Sequence, residues 1–168
     1  NLPLNIISSQ LGMEYDAGGK VARSGHCDEK LLKQLNELEY YSKTYPKSLG
    51  LEWLETQFLP LIEKSKISQR DKLATITHHI ADKTAQTLNQ YNIENVLVTG
   101  GGAYNEYLIQ LIAEKSNAVI TIGLDEVVEF KEAIISKIPS ARLGDPDDIA
   151  NAVLFLQAVW IFKHCIHD

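Results

Sequence analysis

The sequence predicts an α/β fold, helix-rich with a short parallel sheet, and three observations carry that expectation. Residues 95–105 read NVLVTGGGAYN, so the apolar run Val96, Leu97, Val98 feeds three glycines and then an amphipathic segment, EYLIQLIAEK. Residues 118–122, AVITI, make a second short run rich in β-branched side chains, which suit a pleated, half-buried surface. Before residue 95, outside two loops, the apolar positions fall instead at helical spacing. Strand, helix and strand in this order imply a parallel pair, with the helical first half packed against it.

The elements follow in order. Residues 1–13 read as a helix with Leu4, Ile7 and Leu11 on one stripe. Residues 15–25, YDAGGKVARSG, are a loop punctuated by Gly18, Gly19 and Gly25. Asp28 caps a helix whose Leu31, Leu32, Leu35 and Leu38 form its apolar face. Residues 40–50 form an aromatic loop, and residues 51–65 a helix carrying Trp53, Leu54, Phe58 and Leu61, with a kink expected at Pro60. Ser68 and Asp71 make a capping box with aspartate in place of glutamate. It opens a long helix to Tyr91 with Leu73, Ile76, Ile80, Thr84 and Leu88 inward. After the second strand, residues 127–137 read as a helix. A last helix starts at Asp145-Pro146-Asp147-Asp148, where proline suits the first turn and acids complement the dipole.

Composition narrows the function classes. A chain of 168 residues with 45% hydrophobic and 23% charged residues can bury a substantial core. The net charge of −6, with no Lys/Arg cluster, argues against a general nucleic-acid binder. The apolar stretch at 149–162 is broken by Asn151 and Gln157, too short to span a membrane and better read as a buried or partner-facing helix. With no signal peptide visible, a cytoplasmic location is expected, and the absent initiator Met suggests a start partway through a longer chain. Cys27 and Cys165 read as reduced thiols, His164, Cys165 and His167 fit no zinc spacing, and the adjacent His78 and His79 read as surface and edge positions.

Chemistry concentrates at Gly100, Gly101 and Gly102. A strand, a tight glycine loop and a helix start, with Asn105 placed as cap, bring backbone N–H groups and a helix dipole where an anion can approach. Three glycines making a close strand-to-helix turn need no ligand, so a bare structural turn stands beside that reading. Dinucleotide and Walker patterns both fail: Asn105 stands where the first needs glycine, and no Gly-Lys-Ser/Thr exists.

Five segments, NLPLN, YDAGGKVARSG, YPKSLGLEW, VLVTGGGAYN and DEVVEFKEA, in this order and spacing resemble the C-terminal half of the anhydro-N-acetylmuramic acid kinase family. The resemblance covers residues 1–135. It implies the C-terminal lobe of an actin/hexokinase/heat-shock ATPase-like fold, in which two lobes close on ATP and Mg2+. The sugar's anhydro bridge is opened as its O6 is phosphorylated. It implies that Gly100, Gly101 and Gly102 lie along the nucleotide with Asn105 starting the helix behind them. It also implies that Glu129 lies near the sugar, although a first-turn glutamate equally complements a helix dipole. Lys47 and Ser48 match a family loop, but Leu51 stands where many members have arginine, and Asp16 and Arg23 align with a polar loop that a surface turn also explains.

The resemblance places the family's catalytic aspartate just before Asn1 and its phosphate-gripping hairpin in a first lobe absent from these residues. The catalytic residue is therefore unknown here, and an isolated chain is expected to be inactive. Residues 136–168 form an atypical helical tail. Its Arg142-x-Gly144-x-Pro146-x-Asp148-Ile149-Ala150 pattern resembles short-chain dehydrogenases, yet no Tyr-x-x-x-Lys pair accompanies it. Two further readings stand beside the kinase: a non-catalytic nucleotide-binding or protein-interaction lobe, homodimeric through apolar helices, and an NAD-dependent oxidoreductase.

Overall fold

The computed structural model describes residues 2–43 and 48–123, and the backbone of 159–160. The spine is the 22-residue helix α7 (Gln69–Gln90). Before it come α1 (Leu2–Ser9), a 3-10 turn at Ala17–Gly19, α2 (Lys20–Ser24), α3 (Glu29–Asn36) and α4 (Glu39–Ser42). Helix α5 (Leu51–Trp53) then runs through a π-helical turn (Leu54–Phe58) into α6 (Leu59–Lys64). After α7 come β1 (Asn95–Val98), a 3-10 turn at Gly101–Tyr104, α8 (Glu106–Lys115), β2 (Val119–Ile122) and β3 (Val159–Trp160).

Local chemistry accounts for most boundaries. Asp28 accepts from Leu31 N at 2.7 Å and starts α3, while Ser68 accepts from Asp71 N at 3.2 Å and starts α7. Asp71 completes only part of the expected box. Its carboxylate accepts from the Ser68 hydroxyl at 2.7 Å and from the His26 amide at 2.7 Å, which ties the α2–α3 connection to the first turn of α7. These bonds, the His26 amide foremost, hold the Asp71 carboxyl below its usual range. Helix α7 ends where Asn92 takes φ 50° and Ile93 N returns to Leu88 O at 2.9 Å, a left-handed C-terminal motif that asparagine tolerates.

Strands β1 and β2 pair in parallel from Asn95↔Val119 to Val98↔Ile122, as expected for runs joined through a helix. Two apolar clusters flank α7. Leu88, Val96, Val98, Leu108, Ile109 and Ile112 belong to one, and Leu4, Ile7, Leu31, Leu35, Phe58 and Ile76 to the other. Ile80 and Tyr107 pack against both, so the sheet side and the helical side share one continuous core. Of the positions expected inward on α7, Leu73, Ile76 and Leu88 are buried, while Ile80 and Thr84 are half-buried.

Several expectations need correcting. Helix α1 ends at Ser9 rather than Met13, and the aromatic loop contains the short helix α4. The irregularity expected at Pro60 lies upstream, in the π turn. Pro60 itself stands in the first turn of α6, where its missing N–H costs little. Val159 and Trp160 are not helical: they pair antiparallel with β1, Leu97↔Trp160 and Val98↔Val159, giving the strand order β2-β1-β3. Pairing with the second edge of β1 overrides the helical pattern of that stretch. The remaining tail, the expected helix at 127–137 and Glu129 lie outside the described residues. Among the described residues no helix is long and apolar enough to cross a membrane.

His79 is not a surface residue. It is fully buried, with Nδ1 2.7 Å from Asn36 Oδ1 and Nε2 2.8 Å from the Tyr41 hydroxyl. The protonation pattern follows from the chain of partners. The Asp82 carboxylate can only accept, so Asn36 Nδ2 donates to it at 3.3 Å and turns Oδ1 toward His79. Nδ1 must then donate, and Nε2 accepts from Tyr41. Burial, helped by the charge of Lys83, holds the imidazole neutral and pushes its pKa down to about 3. Burial likewise raises the Tyr41 hydroxyl pKa. The relay Asp82–Asn36–His79–Tyr41 thus ties α3 and α4 to α7.

Candidate functional site: an open cleft at the glycine turn

The site begins where β1 ends. Gly100 has φ 76° and ψ −173°, a conformation that only glycine adopts readily. It turns the chain out of the sheet and into the 3-10 turn, closed by Ala103 N to Gly100 O at 3.0 Å and Asn105 N to Gly102 O at 3.1 Å. Asn105 starts α8 as expected, its Oδ1 accepting from Leu108 N at 3.0 Å.

The loop of residues 14–19 faces this turn. Asp16 is buried rather than part of a surface turn, and its two carboxylate oxygens accept from Val21 N at 2.9 Å and Ala22 N at 2.8 Å. Those bonds satisfy the first amides of α2 and fix the loop. Gly18 and Gly19 both have positive φ, 67° and 69°. Gly19 passes so close to α8 that an added Cβ would stand 2.7 Å from Tyr107 Cβ and collide with Asn105 Oδ1. Arg23 is likewise placed by packing, its guanidinium 5.0 Å over the Tyr107 ring. The Tyr107 hydroxyl lies 3.0 Å from His78 Nε2, and burial lowers the His78 pKa.

Between the two loops and α1 opens a cleft of about 360 Å3, lined by Leu4, Asn5, Glu14, Tyr15, Asp16, Gly18, Gly101, Tyr104 and Asn105. That volume lies at the lower end of the range for small-molecule sites, roughly 300–1,000 Å3. Of the residues marked by sequence, Gly101 and Asn105 line the cleft, Gly102 is buried beneath the turn, and Gly100 is exposed at the bend. Gly101 is exposed at the turn. Glu14, Tyr15 and Tyr104 escaped sequence reasoning, because nothing in their local pattern distinguishes a cleft rim from an ordinary loop. The double glycine after Asp16 was the available signal, since adjacent positive-φ residues imply a close approach.

Among the described residues no group of three or more His, Cys, Asp or Glu side chains could hold a metal ion. In the cleft, Asp16 is already engaged by two amides, which leaves Glu14 as the remaining lining carboxylate. Cys27 is a free thiol, half-buried, and burial pushes its pKa up, away from nucleophilic reactivity.

The chain is similar to named proteins over most of its length. An anhydro-N-acetylmuramic acid kinase of Psychrobacter cryohalolentis is 38% identical over 136 residues, covering 72% of this chain and 32% of that protein. One from Shewanella frigidimarina is 36% identical, covering 74% and 36%, and one from Hahella chejuensis is 30% identical, covering 71% and 34%. The chain thus spans about a third of the length of these relatives. The model of the family described as anhydro-N-acetylmuramic acid kinase (AnmK) matches residues 3–155, which runs past residue 135 and through the segment that resembles dehydrogenases. With most of its length matched in this way, the chain belongs to the anhydro-N-acetylmuramic acid kinase family.

Proposed function

We propose that these residues form the nucleotide-holding lobe of a cytoplasmic, ATP-dependent kinase that cleaves and phosphorylates 1,6-anhydro-N-acetylmuramic acid in peptidoglycan recycling. One observation carries the proposal: Gly101 is exposed in an open cleft, at a turn that Gly100 bends out of the sheet and Asn105 caps into a ten-residue helix. A glycine there lets a ligand approach main chain directly, and the N-terminal end of α8 favours negative charge nearby. The kinship with named kinases makes the nucleotide the fitting anion.

Phosphoryl transfer depends mainly on positioning and charge stabilisation between two walls. The reading gives this lobe one wall and assigns the sugar-side carboxylate to Glu129. The reading assigns the phosphate-gripping hairpin and the water-activating aspartate to none of the described residues. The described carboxylates build no cage for Mg2+, so the ion would arrive on the phosphates, and none of the described residues is assigned to it.

Calorimetric titration of the purified chain with ATP tests the reading. Wild-type chain is expected to bind weakly, and Gly101→Leu, which places a side chain in the cleft where φ is not positive, to abolish binding without lowering the thermal midpoint. Undiminished binding by that variant would refute the site. The chain alone is expected not to phosphorylate the anhydro sugar, and product formation without an added first lobe would overturn that part.

A further inference from the structure

The cleft has a sidedness that the glycine turn does not explain. Two tyrosines from different loops converge on it, Tyr15 at 58% exposure and Tyr104 at 61%. Each sits on a stiff support. Tyr15 precedes Asp16, whose carboxylate is pinned by two amides. Tyr104 ends the turn that Gly101 begins, one residue before the α8 cap. Rings left in water at the rim of a cleft, on backbone that is already ordered, can stack on a planar ligand with little further loss of entropy.

Charge gives the direction. Glu14 also lines the cleft, exposed, and no described Lys or Arg lines it. A carboxylate repels phosphate and only accepts hydrogen bonds, so on a nucleotide it suits the hydroxyl donors of the sugar rather than the phosphates. Asp16 is buried and its two oxygens already accept from α2 amides, so Glu14 is the exposed carboxylate of the lining.

We infer that Tyr15 and Tyr104 hold the flat base of the nucleotide at the mouth of the cleft, while Glu14 accepts from its ribose hydroxyls and turns the phosphates toward Gly101. The inference rests on the nucleotide reading of the cleft and adds the residues that orient the ligand within it.

The test is calorimetric titration of the whole chain with ATP and with 2′,3′-dideoxy-ATP. Tyr104→Leu and Tyr15→Leu should each weaken ATP by about tenfold or more, the usual worth of one stacked base, while Tyr104→Phe keeps wild-type affinity. Glu14→Ala, which removes the acceptor altogether, should erase the preference for ATP over the dideoxy nucleotide. Thermal midpoints within a degree or so of wild type would show that the variants fold. ATP binding that Gly101→Leu abolishes but that ignores changes at Tyr15, Tyr104 and Glu14 overturns the inference alone. No binding of ATP by the wild-type chain overturns the nucleotide reading and the inference together.

Discussion

Gly19 and Asn105 stand backbone against side chain: a Cβ on Gly19 would strike the Oδ1 that caps α8. The loop that follows Tyr15 and the helix that follows the three glycines are therefore fitted to each other at the floor of the cleft. Neither can shift without disturbing the other.

This contact separates two adjacent glycines. Gly18 and Gly19 have nearly the same φ, but a Cβ on Gly18 would meet only ordinary contacts, the nearest at 3.8 Å. Gly18→Ala should cost about 1–2 kcal/mol, the strain of a left-handed residue. Gly19→Ala adds overpacking and should cost roughly 2–5 kcal/mol. Urea denaturation of the two variants measures the difference, and equal losses would contradict the packing.

Asp16 supplies two acceptors to α2, so its substitutions should be graded. Asn keeps one acceptor oxygen and should lose about 1 kcal/mol, whereas Ala leaves two amides without partners and should lose roughly 2–3 kcal/mol. Because Asp16 also holds the loop carrying Glu14 and Tyr15, Asp16→Ala should weaken nucleotide binding beyond its effect on stability. Titration at a temperature where the variant stays folded checks this.

His79 predicts an acid sensitivity with a defined window. Its folded pKa, about 3, lies below the 6.5 of an ordinary imidazole. Between those values the unfolded chain binds a proton that the folded chain refuses, so stability falls as pH drops through the window. Above about pH 6.5 neither state is protonated and the contribution is flat. The slope should approach 1.4 kcal/mol per pH unit at its steepest. Denaturant midpoints of wild type and His79→Gln from pH 7 to pH 4 isolate it: the variant should be less stable at pH 7 but lose less on acidification. Parallel curves would mean that the imidazole is protonated in the fold.

Gly100→Ala tests the bend itself. A residue forced to φ 76° with extended ψ should cost about 1–3 kcal/mol or pull the turn out of shape. Affinity for ATP should fall in either case. Unchanged stability and affinity would show that the turn does not depend on that backbone geometry.

Strand β1, the glycine turn and the caps at Asp28, Ser68 and Asn105 were legible in the sequence, because each rests on interactions within a few residues: an apolar run, a missing side chain, a side-chain oxygen reaching an amide three positions on. The five motif segments carried the kinship as well. Tertiary structure alone decided that Asp16 is buried and that Tyr15 and Tyr104 share one cleft. It also decided that His79 lies at the centre of a polar relay and that Val159 and Trp160 extend along β1. These outcomes join residues tens of positions apart. Which of two chemically equal loop residues is buried, and which partner each of two neighbouring histidines meets, is set by where the backbone returns, a property that no local window contains.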